Sequence, residues 1–289
     1  MTGLVRYYVN WRKELSPRIR EIKGKTGCRL ESHTLMTPNG HNVNKIVVLN
    51  PKGGCGKSTL VTSLAARYAQ YGTTPTIMDY DPQGSSMAWL GRRSSEYFKI
   101  HGIEACKQSM QATRSWQLRL PSDTVNLLID SPASISHDDL RRLTSDATNV
   151  LVPVMPSAMD IHAAAGFVKD LLLVAKIDRR ERKLAVVANR TRKNTKSFAK
   201  LMRFLDSLGI PIIAVLRDSQ NFVHAAEQGI GVSEMPPSRV REEVQQLDTI
   251  VRWLDAWPER RAQLAATLAA NQRSSEPQPL LRTSSLSSA

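Results

Sequence analysis

The chain reads as an α/β protein, a mostly parallel twisted sheet with helices on both faces. Short runs that are apolar throughout alternate with longer stretches of helical period. A strand covered on both faces has no polar side to show, and parallel neighbours need a helical crossover between them. A glycine-rich turn also stands directly between the first apolar run and the first helical stretch, as in a strand, loop, helix unit.

In chain order, strands are expected at residues 46–50, 76–79, 125–130, 150–154, 184–189 and 210–216. Between the first two, Leu60, Val61, Leu64, Ala65 and Tyr68 recur at helical spacing, and Gly72 stands where a C-terminal capping glycine belongs. Further helices are expected at 161–175, at 196–208 with Gly209 behind it, at 222–228 with Gly229 behind it, and at 240–257. These elements make a single domain over residues 44–258. Residues 1–43 form a short basic appendage interrupted by Pro17, Gly24, Gly27, Pro38 and Gly40. Residues 259–289 begin as an Ala/Leu-rich helix remnant and continue as a Ser/Pro-rich tail, whose composition predicts disorder.

The 289 residues carry 40 Lys and Arg against 26 Asp and Glu, a formal charge of +14. Such an excess attracts a polyanion, either nucleic acid or an anionic membrane. The three cysteines, Cys28, Cys55 and Cys106, are widely spaced and contain no CxxC pair, which argues against a disulfide framework and a metal-cluster site and fits a cytoplasmic protein. No apolar run reaches the roughly 18 residues of a membrane span. Export and membrane spanning are therefore not expected.

The chemistry is concentrated in Pro51-Lys52-Gly53-Gly54-Cys55-Gly56-Lys57-Ser58-Thr59. Glycines let successive backbone N–H groups wrap phosphate oxygens, and the next helix presents its positive N-terminus. Lys57 is expected on the β- and γ-phosphates and the Ser58 hydroxyl on magnesium. Pro51 stands where the common pattern GxxxxGK[ST] has its first glycine, and Lys52 is an additional early lysine. Cys55 fills the variable position. Side-chain identity is expected to matter little there; a redox role, through a thiol pKa lowered by the helix N-terminus, is the lesser alternative. Two acidic turns follow later strands, Asp79-Tyr80-Asp81-Pro82-Gln83-Gly84 and Asp130-Ser131-Pro132-Ala133. Carboxylates at strand C-termini beside a phosphate loop are placed to bind metal and orient water.

The loop xKGGxGK[ST], the two acidic turns, the run Val152-Pro153-Val154-Met155-Pro156-Ser157 and the stretch from Leu216-Arg217-Asp218 to Gly229 resemble the ParA/MinD family over residues 45–255. The resemblance implies a P-loop NTPase fold, ATP and magnesium as cofactors, and hydrolysis of ATP to ADP and phosphate. It implies that Asp130 holds magnesium through water, that Asp81 orients the attacking water near the metal, and that Lys52 reaches the partner's nucleotide in a homodimer. Asn189, ending the fifth expected strand, could read adenine; a turn-forming role explains it nearly as well.

Between Lys176 and Arg217 basic residues outnumber acidic ones, among them Arg190, Arg192, Lys193, Lys196 and Lys200, with few aromatics. That composition suits phosphate contacts rather than base stacking. Arg217 falls where the family carries a DNA-contacting arginine. The expected partners are non-specific double-stranded DNA of the nucleoid and a ParB-like or cargo-adaptor protein that stimulates hydrolysis. The cargo would be a plasmid, a chromosome, a protein cluster or a microcompartment such as a carboxysome. Two alternatives remain. A MinD-like membrane ATPase needs a bulky amphipathic C-terminal helix, where residues 259–271 offer only Leu264 and Leu268 among alanines. A P-loop metal carrier or metabolic enzyme is the other.

Overall fold

The computed structural model describes residues 43–106, 120–181 and 183–260, with 262 and 266. The expected appendage, apart from Val43, and the Ser/Pro-rich tail lie outside the described residues.

Within them the chain runs β1 (Asn44–Val48), α1 (Lys57–Gln70), β2 (Thr74–Asp79), α2 (Ser85–Gly91), β3 (His101–Glu104), β4 (Thr124–Asp130), α3 (His137–Thr144) and β5 (Asn149–Val154). It continues as α4 (Ala158–Leu173), β6 (Leu184–Thr191), α5 (Lys196–Ser207), β7 (Ile212–Arg217), α6 (Gln220–Glu227) and α7 (Pro237–Asp255), with 3-10 turns at Arg179–Glu181 and Val232–Glu234. The seven strands lie in the order β3-β2-β4-β1-β5-β6-β7. Every pairing is parallel.

Alternation along the strands explains why they are apolar throughout. Val47, Leu127, Ile129, Val150, Val152, Val154, Val186 and Ala188 join one core with Leu140, Phe167, Leu171, Leu201 and Leu205 of α3, α4 and α5. The intervening Ile46, Val48, Leu128, Leu151 and Val187 are equally buried; they belong to the opposite face, where α1 packs on β1, β2 and β4 and α7 on β7. Each such Leu, Ile or Val removed from water contributes roughly 1.5–3 kcal/mol. The outer layer is tied by Arg67 of α1, which donates two hydrogen bonds to Asp248 of α7 at 2.7 and 3.0 Å.

All six expected strands and the five expected helices are present, with ends moved by a few residues. Three elements escaped the sequence reading. β3 is an edge strand in which alternate residues are exposed and Gly102 interrupts the apolar pattern. α2 and α3 are 7 and 8 residues long, too short to display a helical period. β6 continues beyond Asn189 to Thr191 across a shift in register against β7, where Arg190 adopts a φ of +49°.

Candidate functional site

The centre of the sheet positions the site. β1 lies between β4 and β5, so the turn leaving it emerges among three strand C-termini. Asn50 anchors that turn: its buried amide donates to the Pro153 carbonyl at 2.6 Å, and its side-chain oxygen accepts from the Lys52 N–H at 2.8 Å. Gly54 and Gly56 then take φ of +75° and +91°, conformations open to glycine at little cost. α1 starts at Lys57 with no side-chain cap, which leaves its first N–H groups for an anion.

Lys57 is only 6% exposed, and its ammonium donates to the carbonyls of Asn50 and Lys52 at 3.1 and 3.2 Å. Lys52 is half-buried and pairs with Asp160 near the start of α4, Nζ to Oδ2 at 3.1 Å. Sequence reasoning missed Asp160. The only signal was Ser157-Ala158-Met159-Asp160, a capping pattern in which the Ser157 hydroxyl accepts from the Asp160 N–H at 3.1 Å.

Asp79 and Asp130 end neighbouring strands and lie opposite each other in register. Asp79 is fully engaged locally, accepting from the Ser86 hydroxyl at 2.6 Å and the Asp81 N–H at 2.9 Å. It therefore braces the start of α2. Asp81 is half-buried and accepts from the Gln83 N–H at 3.0 Å. Asp130 is 0% exposed, and neither of its oxygens has a hydrogen-bond partner. Burial, reinforced by the Asp79 charge, pushes its carboxyl up to about 7; the Ser58 and Ser86 hydroxyls and the Lys57 charge pull the other way without prevailing. A buried carboxylate with two open oxygens, facing a serine hydroxyl beside a phosphate loop, fits a hydrated magnesium ion. The described residues contain no cluster of three or more His, Cys, Asp or Glu that could hold a metal alone. Such an ion would depend on phosphate and water for its remaining ligands.

For Cys55 the direction of the thiol shift is corrected, while its reading as a variable loop position without redox chemistry agrees with the structure. Its side chain is 0% exposed, and burial raises the thiol pKa despite the nearby Lys57 charge. Such a thiol stays protonated and shielded, which removes the redox role. Asn189 reaches the same loop, its Nδ2 donating to the Cys55 carbonyl at 2.8 Å.

The basic residues divide into two groups. Arg190 and Arg192 share Asp218 at 3.5 and 2.8 Å, Lys193 pairs with Glu242 at 3.4 Å, and Arg217 meets Glu242 at 3.0 Å and Glu243 at 2.8 Å. Their charge is thus largely balanced in place. Lys196, Lys200 and Arg203 are exposed along one stripe of α5, spaced i, i+4, i+7. Lys196 and Lys200 have no ion-pair partner among the described residues.

Residues 46–232 match the model of the CobQ/CobB/MinD/ParA nucleotide binding domain. The Maintenance of carboxysome distribution protein A of Halothiobacillus neapolitanus is 25% identical over 191 residues, spanning 66% of this chain and 87% of that protein. Among solved structures, apo McdA of Cyanothece superposes with a TM-score of 0.56 at 16% identity, covering 72% of this chain and 98% of that one. A putative plasmid partition protein of Borrelia burgdorferi B31 bound to AMPPNP gives 0.57 at 12%, covering 73% and 99%. At these identities the structural likenesses concern the fold. With that fold, a two-lysine glycine-rich loop and a family match over most of the described sheet, the chain belongs to the CobQ/CobB/MinD/ParA family of nucleotide-binding domains.

Proposed function

We propose that the chain is a ParA-like ATPase that dimerises on ATP, binds DNA without sequence preference and positions or partitions a cargo. The observation that carries the reading is the loop itself: two lysines 3.2 Å apart between the Lys57 ammonium and the Lys52 carbonyl, beside the open Asp130 carboxyl. In this reading the N–H groups of residues 53–59 and the start of α1 take the phosphates of ATP. Lys57 exchanges two backbone carbonyls for phosphate oxygens. Ser58 and Asp130 would hold magnesium, with Asp81 nearby. Magnesium there would offset the charge on the β- and γ-phosphates. Asp81 orients the water whose oxygen bonds to the γ-phosphorus as the bond to the bridging oxygen breaks, giving ADP, phosphate and a proton. Lys52 leaves Asp160 for the nucleotide of the second copy, so that ATP and dimerisation become linked.

DNA contact falls to Lys196 and Lys200, aided by Arg190, Arg192, Lys193 and Arg217 to the extent that their local carboxylates leave charge over. A ParB-like or cargo-adaptor protein stimulates hydrolysis. The relative named for carboxysome distribution supports a microcompartment as cargo. No described helix is long and apolar enough to cross a membrane, and we place the protein on the nucleoid in the cytoplasm. Size-exclusion chromatography in ATP and magnesium tests the linkage. The wild type should elute as a dimer, Lys57→Ala as a monomer that binds no nucleotide, and Lys52→Ala as a monomer that still does. A dimeric, fully active Lys52→Ala variant would return Lys52 to a local partner of Asp160.

A further inference from the structure

Asn189 is 8% exposed, and both ends of its side chain are engaged. Nδ2 donates to the Cys55 carbonyl at 2.8 Å, and Oδ1 accepts from the Arg190 N–H at 2.9 Å. The second bond accompanies the φ of +49° at Arg190, a left-handed conformation that residues with a side chain adopt reluctantly. On the other side, Gly56 passes so close that a Cβ there would lie 2.3 Å from Nδ2 of Asn189. β6 and the loop are thus fitted to each other at this point.

A trans peptide is planar, so its C=O and N–H point in opposite directions. No peptide among the described residues is cis. Holding the Cys55 carbonyl against β6 therefore turns the Gly56 N–H, in the same peptide unit, away from β6. That N–H is one of those a phosphate-cradling turn must present.

We propose that Asn189 is a positioning residue of the phosphate loop, which sets the direction of the Gly56 N–H through the Cys55 carbonyl and serves every nucleotide alike. The proposal rests on the nucleotide-binding reading of the loop. The competing role, recognition of adenine by the same amide, makes a different prediction for a base that lacks the exocyclic amine.

The test is the affinity of the full chain for ATP and for inosine triphosphate, in the wild type and in Asn189→Ala and Asn189→Asp. Removing the donor leaves a buried carbonyl unsatisfied, so both nucleotides should weaken by the same factor, about ten- to a hundredfold, with their ratio unchanged. Asn189→Asp keeps the acceptor for Arg190 but turns an oxygen toward the Cys55 carbonyl, and should bind no better than Asn189→Ala. It serves as the test variant if Asn189→Ala does not fold. A nucleotide-free Tm close to wild type would separate loss of positioning from loss of fold. A loss confined to ATP, bringing the two affinities together, overturns the proposal and gives the amide to adenine; undiminished affinity for both overturns it as well. A wild type that bound neither would instead refute the phosphate-loop reading.

Discussion

Asp81 follows β2 and Asp130 ends the neighbouring β4, yet their surroundings differ in a way that separates the tasks proposed for them. Asp81 is half-buried with one side-chain hydrogen bond, from the Gln83 N–H, which suits the water-orienting role proposed for it. Asp81→Ala should lower hydrolysis by about 10²–10⁴-fold while ATP affinity and dimerisation persist, measured by phosphate release against nucleotide binding. Asp130 supplies a pH test. Its carboxyl titrates near 7 against an ordinary 3.8, so between those values the folded chain holds a proton that the unfolded chain has lost. Folding stability then falls as pH rises through that window, by at most about 4 kcal/mol at pH 8. Asp130→Asn should accordingly raise Tm in the nucleotide-free, magnesium-free protein at pH 8 and change little at pH 4; equal shifts at both would contradict the origin in burial. Lys52, Lys57, Ser58 and the aspartates were legible because the loop and the strand-end turns are contiguous in sequence. The Lys52–Asp160 pair was not, since it joins segments that only the sheet order brings together. The direction of the Cys55 shift was misjudged because the helix N-terminus was counted and burial was not.

At the level of elements, the end of β7 and the flank of α7 form one unit. Glu243 is 0% exposed and accepts from the Ser219 hydroxyl at 2.6 Å, the Asn221 amide at 2.9 Å and Arg217 Nε at 3.0 Å. Burial would push its carboxyl up, but Ser219, Asn221 and Arg217 together hold it below the usual range. Arg217→Ala removes the charged partner and should lower stability by about 1–3 kcal/mol, the partial exposure of Arg217 keeping the cost at the lower end for such pairs. Thermal unfolding checks this, and ATP affinity should be unchanged. A DNA defect in this variant with normal Tm would instead assign Arg217 to DNA. The central strands were readable from their unbroken apolar runs. The end of β6 was not, because Arg190 turns left-handed there and lets the strand resume after a register shift that no apolar pattern records.

Across the whole molecule the excess of +14 is unevenly available. Asp218, Glu242 and Glu243 absorb much of the charge at the ends of β6 and β7, whereas Lys196 and Lys200 on α5 stand open. Joint Lys196→Glu and Lys200→Glu substitution should therefore weaken all duplex sequences equally and leave ATP binding intact, as read by fluorescence anisotropy. If each dimer neutralises about six phosphates, log affinity should fall against log salt with a slope near −5 in the wild type, and less steeply in the variant. Composition led to the expectation of a polyanion partner; which cations are left unpaired depended on pairings visible only in three dimensions. The most direct test is sedimentation velocity of the full chain with a random-sequence duplex, in ATP and magnesium and then in ADP. A DNA-bound dimer is expected in ATP and a free monomer in ADP. A chain that binds ATP with no change in mass and no hold on DNA would contradict the proposal.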